Sequence, residues 1–486
     1  MLAPIDLALL GAFVLWCACA GLRNRRAASR GLDDYFLAGR TLSGWQAGLS
    51  MAATQFAADT PLLVTGLIAT AGVFALWRLW IYALAFLLLG FLLAGAWRRA
   101  AVLTDAELSE LRYGSRWAAP LRLAKALYFG TVFNCAVLAM VLIAATRVAE
   151  PFLRWEAWLP APLFAAARGF AARAGVALTT TTGDPEAVLA ASAGNWISLA
   201  VIFALTALYS ATGGLRAVVA TDVAQFAIAM GATAVYAAVL VAEVGGLAAL
   251  PDRLAALYGA DGARALLAFT PDQARQAGGV ALVVIAVQWI AQMSADGTGY
   301  LAQRAMACRS EADARRAALV FAVAQVLLRS LLWIAIGLSL LVLLPLPPDG
   351  AEPALREATF VEGIGRWLPA GARGLMLTGI LAALASTLDT HLNWGAAYWT
   401  HDVYGRARCR GVRGREPDPR RLVWVARGCT VGILLVALAV LTRIESIQTA
   451  WQATLLLGAG MGVPLLLRWV WWRMTAAAEL GAIAVS

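Results

Sequence analysis

Apolar runs recur along this chain near residues 2–22, 43–70, 74–97, 118–146, 194–212, 216–242, 278–302, 317–346, 371–400, 422–442 and 447–467. A helix of about 20 apolar residues crosses the hydrocarbon core of a bilayer. Inside that core each backbone N–H and C=O must be satisfied by the segment itself, which a helix does. The runs therefore predict an all-α polytopic membrane protein with eleven spans embedded in lipid. The closing stretch, 476–486, reads as the start of a further helix that is cut off. The composition agrees, since 61% of the 486 residues are hydrophobic and 14% charged, which leaves no stretch for a soluble domain.

The formal charge is +10, but the basic residues sit in short segments between the apolar runs. That is a membrane-topology pattern, so no nucleic-acid partner is expected. With the N-terminus outside, segments 23–40, 98–125, 304–316, 406–421 and 468–473 fall inside and hold twenty-four Lys and Arg. The expected setting is a bacterial inner membrane in this orientation. The first run lacks a small-residue cleavage site and is followed by arginines, so it reads as a retained helix. The six cysteines suggest no disulfide framework, and two histidines give no metal-ligand set. No G-x₄-GK[ST] stretch is present, so neither an ATP-driven pump nor an enzyme is expected.

Two runs are interrupted. The second contains "TQFAADTPLLVTG" (54–66), where Asp59, Thr60 and Pro61 fall in mid-membrane; Pro61 lacks an N–H and disfavours helix at Thr60. The seventh contains "QMSADGTGYLAQR" (292–304), broken at Asp296, Gly297 and Gly299. These runs lie five apart and so hold matching places in two five-helix halves of opposite orientation. Broken helices at matching positions of inverted repeats point to a transporter's midplane binding site. The implied organisation is an extra N-terminal helix and loop (1–42), a first repeat (43–245), an outer connection (246–277) and a second repeat (278–475).

Polar groups inside the spans are the candidates for chemistry. Ser386 and Thr387 are adjacent hydroxyls in a span, with the Ala383 carbonyl one turn before Ser386. Hard oxygens of this kind suit a dehydrated Na⁺. Asp222 lies six residues past Arg216, roughly 9 Å into its helix, where a carboxylate needs a partner. Arg216 is one option and a bound cation another. Asp389 follows Ser386 by three residues, toward the same region. Arg329 is near mid-depth, with either an acid or carbonyls for partners. Asp59 can shape the pocket or cap the half-helix after the break.

Four stretches resemble the sodium/solute symporter family, which includes sodium–glucose, sodium–proline and sodium–sialic acid transporters. They are "DYFLAGRTLSGWQAGLSMAA" (34–53), "YSATGGLRAVVATDVAQ" (209–225), "GYLAQRAMACRSEADA" (299–314) and "ASTLDTHLNWGAAYWTHDVY" (385–404). The resemblance implies a LeuT-type five-plus-five inverted repeat with an extra N-terminal helix. It implies one Na⁺ held by the carbonyls of Ala53, Phe56 and Ala383 and the hydroxyls of Ser386 and Thr387. Asp222 matches an aspartate that helps bind a second Na⁺ in some members, so it is expected to face the eighth core helix.

The expected substrate residues are Gln55, Thr60, Arg78, Asn134, Gln288, Trp289, Gln292 and Ser294, with Trp77 and Trp80 nearby. Asn134 matches a position that touches sugar in the sodium–galactose member. The acid that binds sugar there has no counterpart near Leu79, and Arg78 stands beside that place. A guanidinium prefers a carboxylate fork, which suggests an anionic or polyol-acid solute, unless Arg78 merely snorkels to water. The reading is thus a Na⁺-coupled importer of a small polar solute by alternating access, with Na⁺ the only cofactor. A proton-coupled transporter using Asp59, Asp222 or Asp389 is the alternative, and a transporter-like solute sensor another.

Overall fold

The computed structural model describes all residues except 1, 29–30, 81–82, 180, 271–282, 284–286, 288–294, 346–352, 413, 415–417 and 445. Among the described residues the regular structure is helical, and the single strand-like contact is an isolated bridge between Leu42 and Cys308. The first helix, α1, spans Pro4–Ala28. The second expected span is two helices, α2 (Gly44–Gln55) and α3 (Asp59–Ala71). Then come α4 (Ala83–Ala100), α5 (Ala118–Ala149), α6 (Pro185–Thr206) and α7 (Gly214–Val244). After a connecting helix (Leu250–Leu267), the chain continues with α8 (Tyr300–Ala307), α9 (Glu311–Leu343), α10 (Ala372–Arg410) and α11 (Arg421–Leu441). It closes with α12 (Ile447–Leu457), α13 (Gly462–Val470) and α14 (Ala476–Val485). Among the described residues, seven of these helices are long and apolar enough to cross a membrane unaided, and α12 and α13 reach that length only together, bent by 41°.

The sequence explains the ends that place the site. Ser43 and Gln46 form a reciprocal capping box at the start of α2, which satisfies two otherwise orphaned donors. The Gly44 N–H is taken by Asp313 Oδ1 at 2.9 Å, which ties α2 to the start of α9. The break after α2 falls at Phe56–Ala58, upstream of the expected Asp59–Pro61. Pro61 is the third residue of α3 rather than its breaker, because the first turn has no use for its missing N–H. Ala58, not Asp59, is the capping residue, and Asp59 opens the first turn, where a negative charge suits the helix dipole. Spans five and six run as one 60-residue helical element, turned at Gly214, whose φ of 60° a side chain would strain.

The second break is visible from its far side. Gly297 and Gly299 both take positive φ, 83° and 99°, and α8 starts immediately after them. The preceding half of that span lies outside the described residues. At the centre stands α10, in which every residue from Ala382 to Ala397 is buried. It packs along α7, with Gly379 close against Ala229 and Ala232, and beside the end of α2. That enclosure brings the three polar clusters described next into one region.

Candidate functional site

The end of α2 meets the middle of α10. The Thr387 hydroxyl lies 2.9 Å from the Thr54 carbonyl and 2.9 Å from the Ala383 carbonyl. Thr54 Oγ1 lies 2.8 Å from Thr390 Oγ1, one turn further along. Phe56, which ends α2, is wedged against Phe226 and Trp333, which fixes the direction of the broken backbone. Ser386 donates to Asp222 Oδ1 at 2.6 Å. The expected ion ligands Ala53, Phe56, Ala383, Ser386, Thr387 and Asp222 thus fall on three adjoining segments. A hydroxyl that donates its proton keeps lone pairs, so both hydroxyls still offer oxygen to a small hard cation.

Asp222 does not pair with Arg216. Arg216 reaches the Ala38 carbonyl at 2.9 Å and Thr41 Oγ1 at 3.2 Å instead. The cation facing Asp222 is Arg304, 3.8 Å away, with both side chains fully buried. Ser50 also donates to the other Asp222 oxygen. The Arg304 guanidinium further donates to Ser50 at 3.2 Å, Gln303 at 2.9 Å and Thr390 at 2.6 Å. Arg304 is one of the bases that the topology count placed in an inner loop. Its burial depends on a partner 82 positions away, which no local pattern reveals.

A cavity of about 120 Å³ opens beside the two breaks. Its polar wall holds Thr54, Gln55, Asp59, Thr60, Thr298, Tyr300, Gln325, Arg329 and His391, and its apolar wall includes Leu63, Phe86, Val137, Met140 and Trp451. The Tyr300 hydroxyl donates to Gln55 Oε1, linking the two broken helices across it. Arg329 resolves to a carbonyl partner: Nη1 donates to the Gln55 carbonyl at the end of α2. Its guanidinium stacks 4.3 Å from the Trp333 ring centre.

The expected substrate residues divide. Gln55 and Thr60 line this cavity, together with Asp59. Arg78 does not; it ends a short 3₁₀ turn, half-buried, outside the cavity wall. Asn134 is turned to structural use, its amide nitrogen donating to the His391 carbonyl at 2.9 Å and its oxygen 2.7 Å from His391 Nδ1. Trp77 and Trp80 bond the Phe269 carbonyl and Ser330 Oγ. Gln288, Trp289, Gln292 and Ser294 lie outside the described residues. Asp389 is fully buried on α10.

A further charged assembly lies where segment 98–125 meets the later part of α10, α13 and α14. Arg468 holds Asp296, next to the second break, at 2.6 Å and Glu479 at 3.3 Å. Lys125 reaches Glu479 at 2.7 Å. Arg122 grips Asp402 at 2.6 Å and Glu110 at 2.7 Å. Between α4 and α5, burial pushes the Glu107 carboxyl up. His401 at 3.2 Å, the Leu103 N–H at 2.8 Å and Arg122 outweigh that and hold it down at about 2.

A model of the sodium:solute symporter family matches residues 35–157 and 188–485. The sodium/glucose cotransporter of Vibrio parahaemolyticus is 25% identical, over 99% of this chain and 84% of that protein. Sodium/glucose cotransporter 2 of Rattus norvegicus is 24% identical over 92% of this chain, which spans 64% of the rat protein. Among solved structures, a substrate-bound, outward-open Na⁺-coupled sialic acid symporter superposes with a TM-score of 0.70 at 18% identity, covering 97% of this chain and 86% of that one.

Proposed function

The chain belongs to the sodium:solute symporter family, and from that premise we propose how its residues carry coupled import. It is an integral membrane transporter of the LeuT-type fold, not an enzyme, and Na⁺ is its coupling ion. Its cargo is a small polar organic solute of the sugar, sugar-acid, amino-acid or organic-acid kind, as the named relatives suggest. Na⁺ binds between the end of α2 and α10, on the carbonyls of Ala53, Phe56 and Ala383 and the hydroxyls of Ser386 and Thr387. The observation that carries this is the Thr387 hydroxyl, which touches carbonyls of both helices at 2.9 Å. An ion seated there fixes the broken helix against α10.

Gln55 lies at that same break, and its carbonyl and side chain meet Arg329 and Tyr300 of the cavity wall. Seating Na⁺ therefore orders groups that face the solute, and by linkage the solute raises Na⁺ affinity equally. The two repeats, 43–245 and 278–475, then move against one another around this fixed centre. Asp222 is matched by Arg304, so we assign it to positioning Ser386 rather than to a second Na⁺. The basic segments support an N-terminus outside a bacterial inner membrane.

The test is accumulation of labelled sugars and amino acids by proteoliposomes under an imposed Na⁺ gradient, compared with an imposed pH gradient at equal Na⁺. Accumulation with the Na⁺ gradient supports the assignment. Accumulation with the pH gradient alone replaces it with proton coupling.

A further inference from the structure

Three polar atoms in the cavity wall are unused by the ion site. Asp59 Oδ1, Arg329 Nε and Gln325 Oε1 have no hydrogen-bond partner among the described residues. Their side chains line the same cavity, and the three residues are only 6%, 5% and 4% exposed. Buried polar atoms left unpaired are costly, and a native site that keeps them implies something that satisfies them.

Two of the three carry opposite charges. Yet among the described residues Asp59 and Arg329 form no ion pair with each other. Arg329 is instead anchored by the Gln55 carbonyl on one side and the Trp333 ring on the other. Asp59 is fixed by its place in the first turn of α3. The two anchors of Arg329 therefore set its guanidinium in the wall of the same cavity that the Asp59 carboxylate lines, without a direct ion pair between them. In a low dielectric that separation is unfavourable unless a ligand brings both complementary charges.

We propose that the transported solute is a compact zwitterion, an α-amino acid with an apolar side chain. This rests on the assignment of the central cavity to the solute. The carboxylate of the solute takes the Arg329 edge, where Nε is open. Its ammonium donates to Asp59, and Gln325 Oε1 accepts a second N–H. The apolar side chain packs on Phe86, Val137 and Met140. A sugar would give each fixed charge only a neutral partner. A plain carboxylate would bring an anion beside Asp59, and an N-trimethylated amino acid has no N–H for Asp59 or Gln325.

The experiment is a binding titration on the purified full chain in detergent, in NaCl and in KCl. The probes are the twenty protein L-amino acids, their desamino acids, their N-trimethyl derivatives and a set of hexoses. The proposal expects Na⁺-dependent binding of at least one apolar amino acid. Binding of its desamino and N-trimethyl analogues falls at least tenfold, and so does binding of the amino acid itself in Asp59→Asn. Na⁺-dependent binding of a hexose or a desamino acid in preference, or of no amino acid at all, overturns the substrate class. If Na⁺ stabilises the protein in those same samples, the ion assignment survives that result. If Na⁺ does not, the ion assignment falls and this proposal with it.

Discussion

Replacing Asp222 by Asn tests the buried pair at the centre of the bundle. The side chain keeps its size but loses its charge, while Arg304 stays fully buried 3.8 Å away. Two unit charges at that separation attract by about 4 kcal/mol at an effective dielectric of about 20. Removing one member of a buried pair typically costs about 3–5 kcal/mol, because the other charge is left uncompensated. Arg304 keeps its bonds to Thr390, Gln303 and Ser50, so the expected loss is at the low end, about 3 kcal/mol. Arg304→Gln alone leaves Asp222 buried with only hydroxyl donors and should cost a similar amount. The double variant should lose less than the sum, with a coupling of about 2 kcal/mol, within the range seen for contacting groups. Unfolding is followed in detergent by heat or denaturant, in KCl so that Na⁺ binding does not contribute. Additive losses, within about 0.5 kcal/mol, would refute the pairing.

Because Arg304 supplies the positive charge at Asp222, wild-type Na⁺ titration should be non-cooperative, with a Hill coefficient of about one; a value near two shows a second ion. Arg78→Lys should leave solute affinity unchanged in a binding titration, since Arg78 is outside the cavity; a large loss would return it to the site. Glu107 is held well below the ordinary carboxylate value of 4.5. Its ionised form therefore adds stability that is complete above about pH 4.5 and is lost as pH falls toward about 2. Glu107→Gln should flatten that acid limb of the stability profile, and an unaltered limb in the variant would show that Glu107 contributes nothing there.

Most of the eleven expected spans and the two breaks were legible because hydropathy and backbone punctuation are local properties; seven helices, or eight with the bent pair, are long and apolar enough among the described residues, and the run at 278–302 lies largely outside them. The place of the first break was misread by about three residues because Pro61 is tolerated within the first turn of α3. The hydroxyl pair Ser386 and Thr387 stood out through its place inside a span and through family resemblance, and Thr387 does meet the end of α2. The charge partners were not. Arg304, Arg122, Lys125 and Arg468 stand near span ends and look like ordinary inner-loop bases. Each is buried only because a distant acid, Asp222, Asp402, Glu479 or Asp296, meets it in the fold. The available clue was indirect: a mid-membrane aspartate requires a partner, and the nearest base in sequence, Arg216, was the wrong one. Arg78 is the complementary case. Its place beside an aligned substrate position said nothing about which way its short turn faces.

The proposed seat of Na⁺ between the end of α2 and α10 is open to a direct test, because stability against Na⁺ measures it without knowledge of the solute. A ligand bound only by the folded state stabilises it by about 2.7 kcal/mol at one hundred times its dissociation constant. The measurement is thermal unfolding of purified wild type and of the Ser386→Ala, Thr387→Ala double variant, titrated with NaCl at constant total salt. The wild type should gain stability as Na⁺ replaces K⁺, and the variant should need at least tenfold more Na⁺ for the same gain. Identical Na⁺ curves for the two proteins would contradict the site.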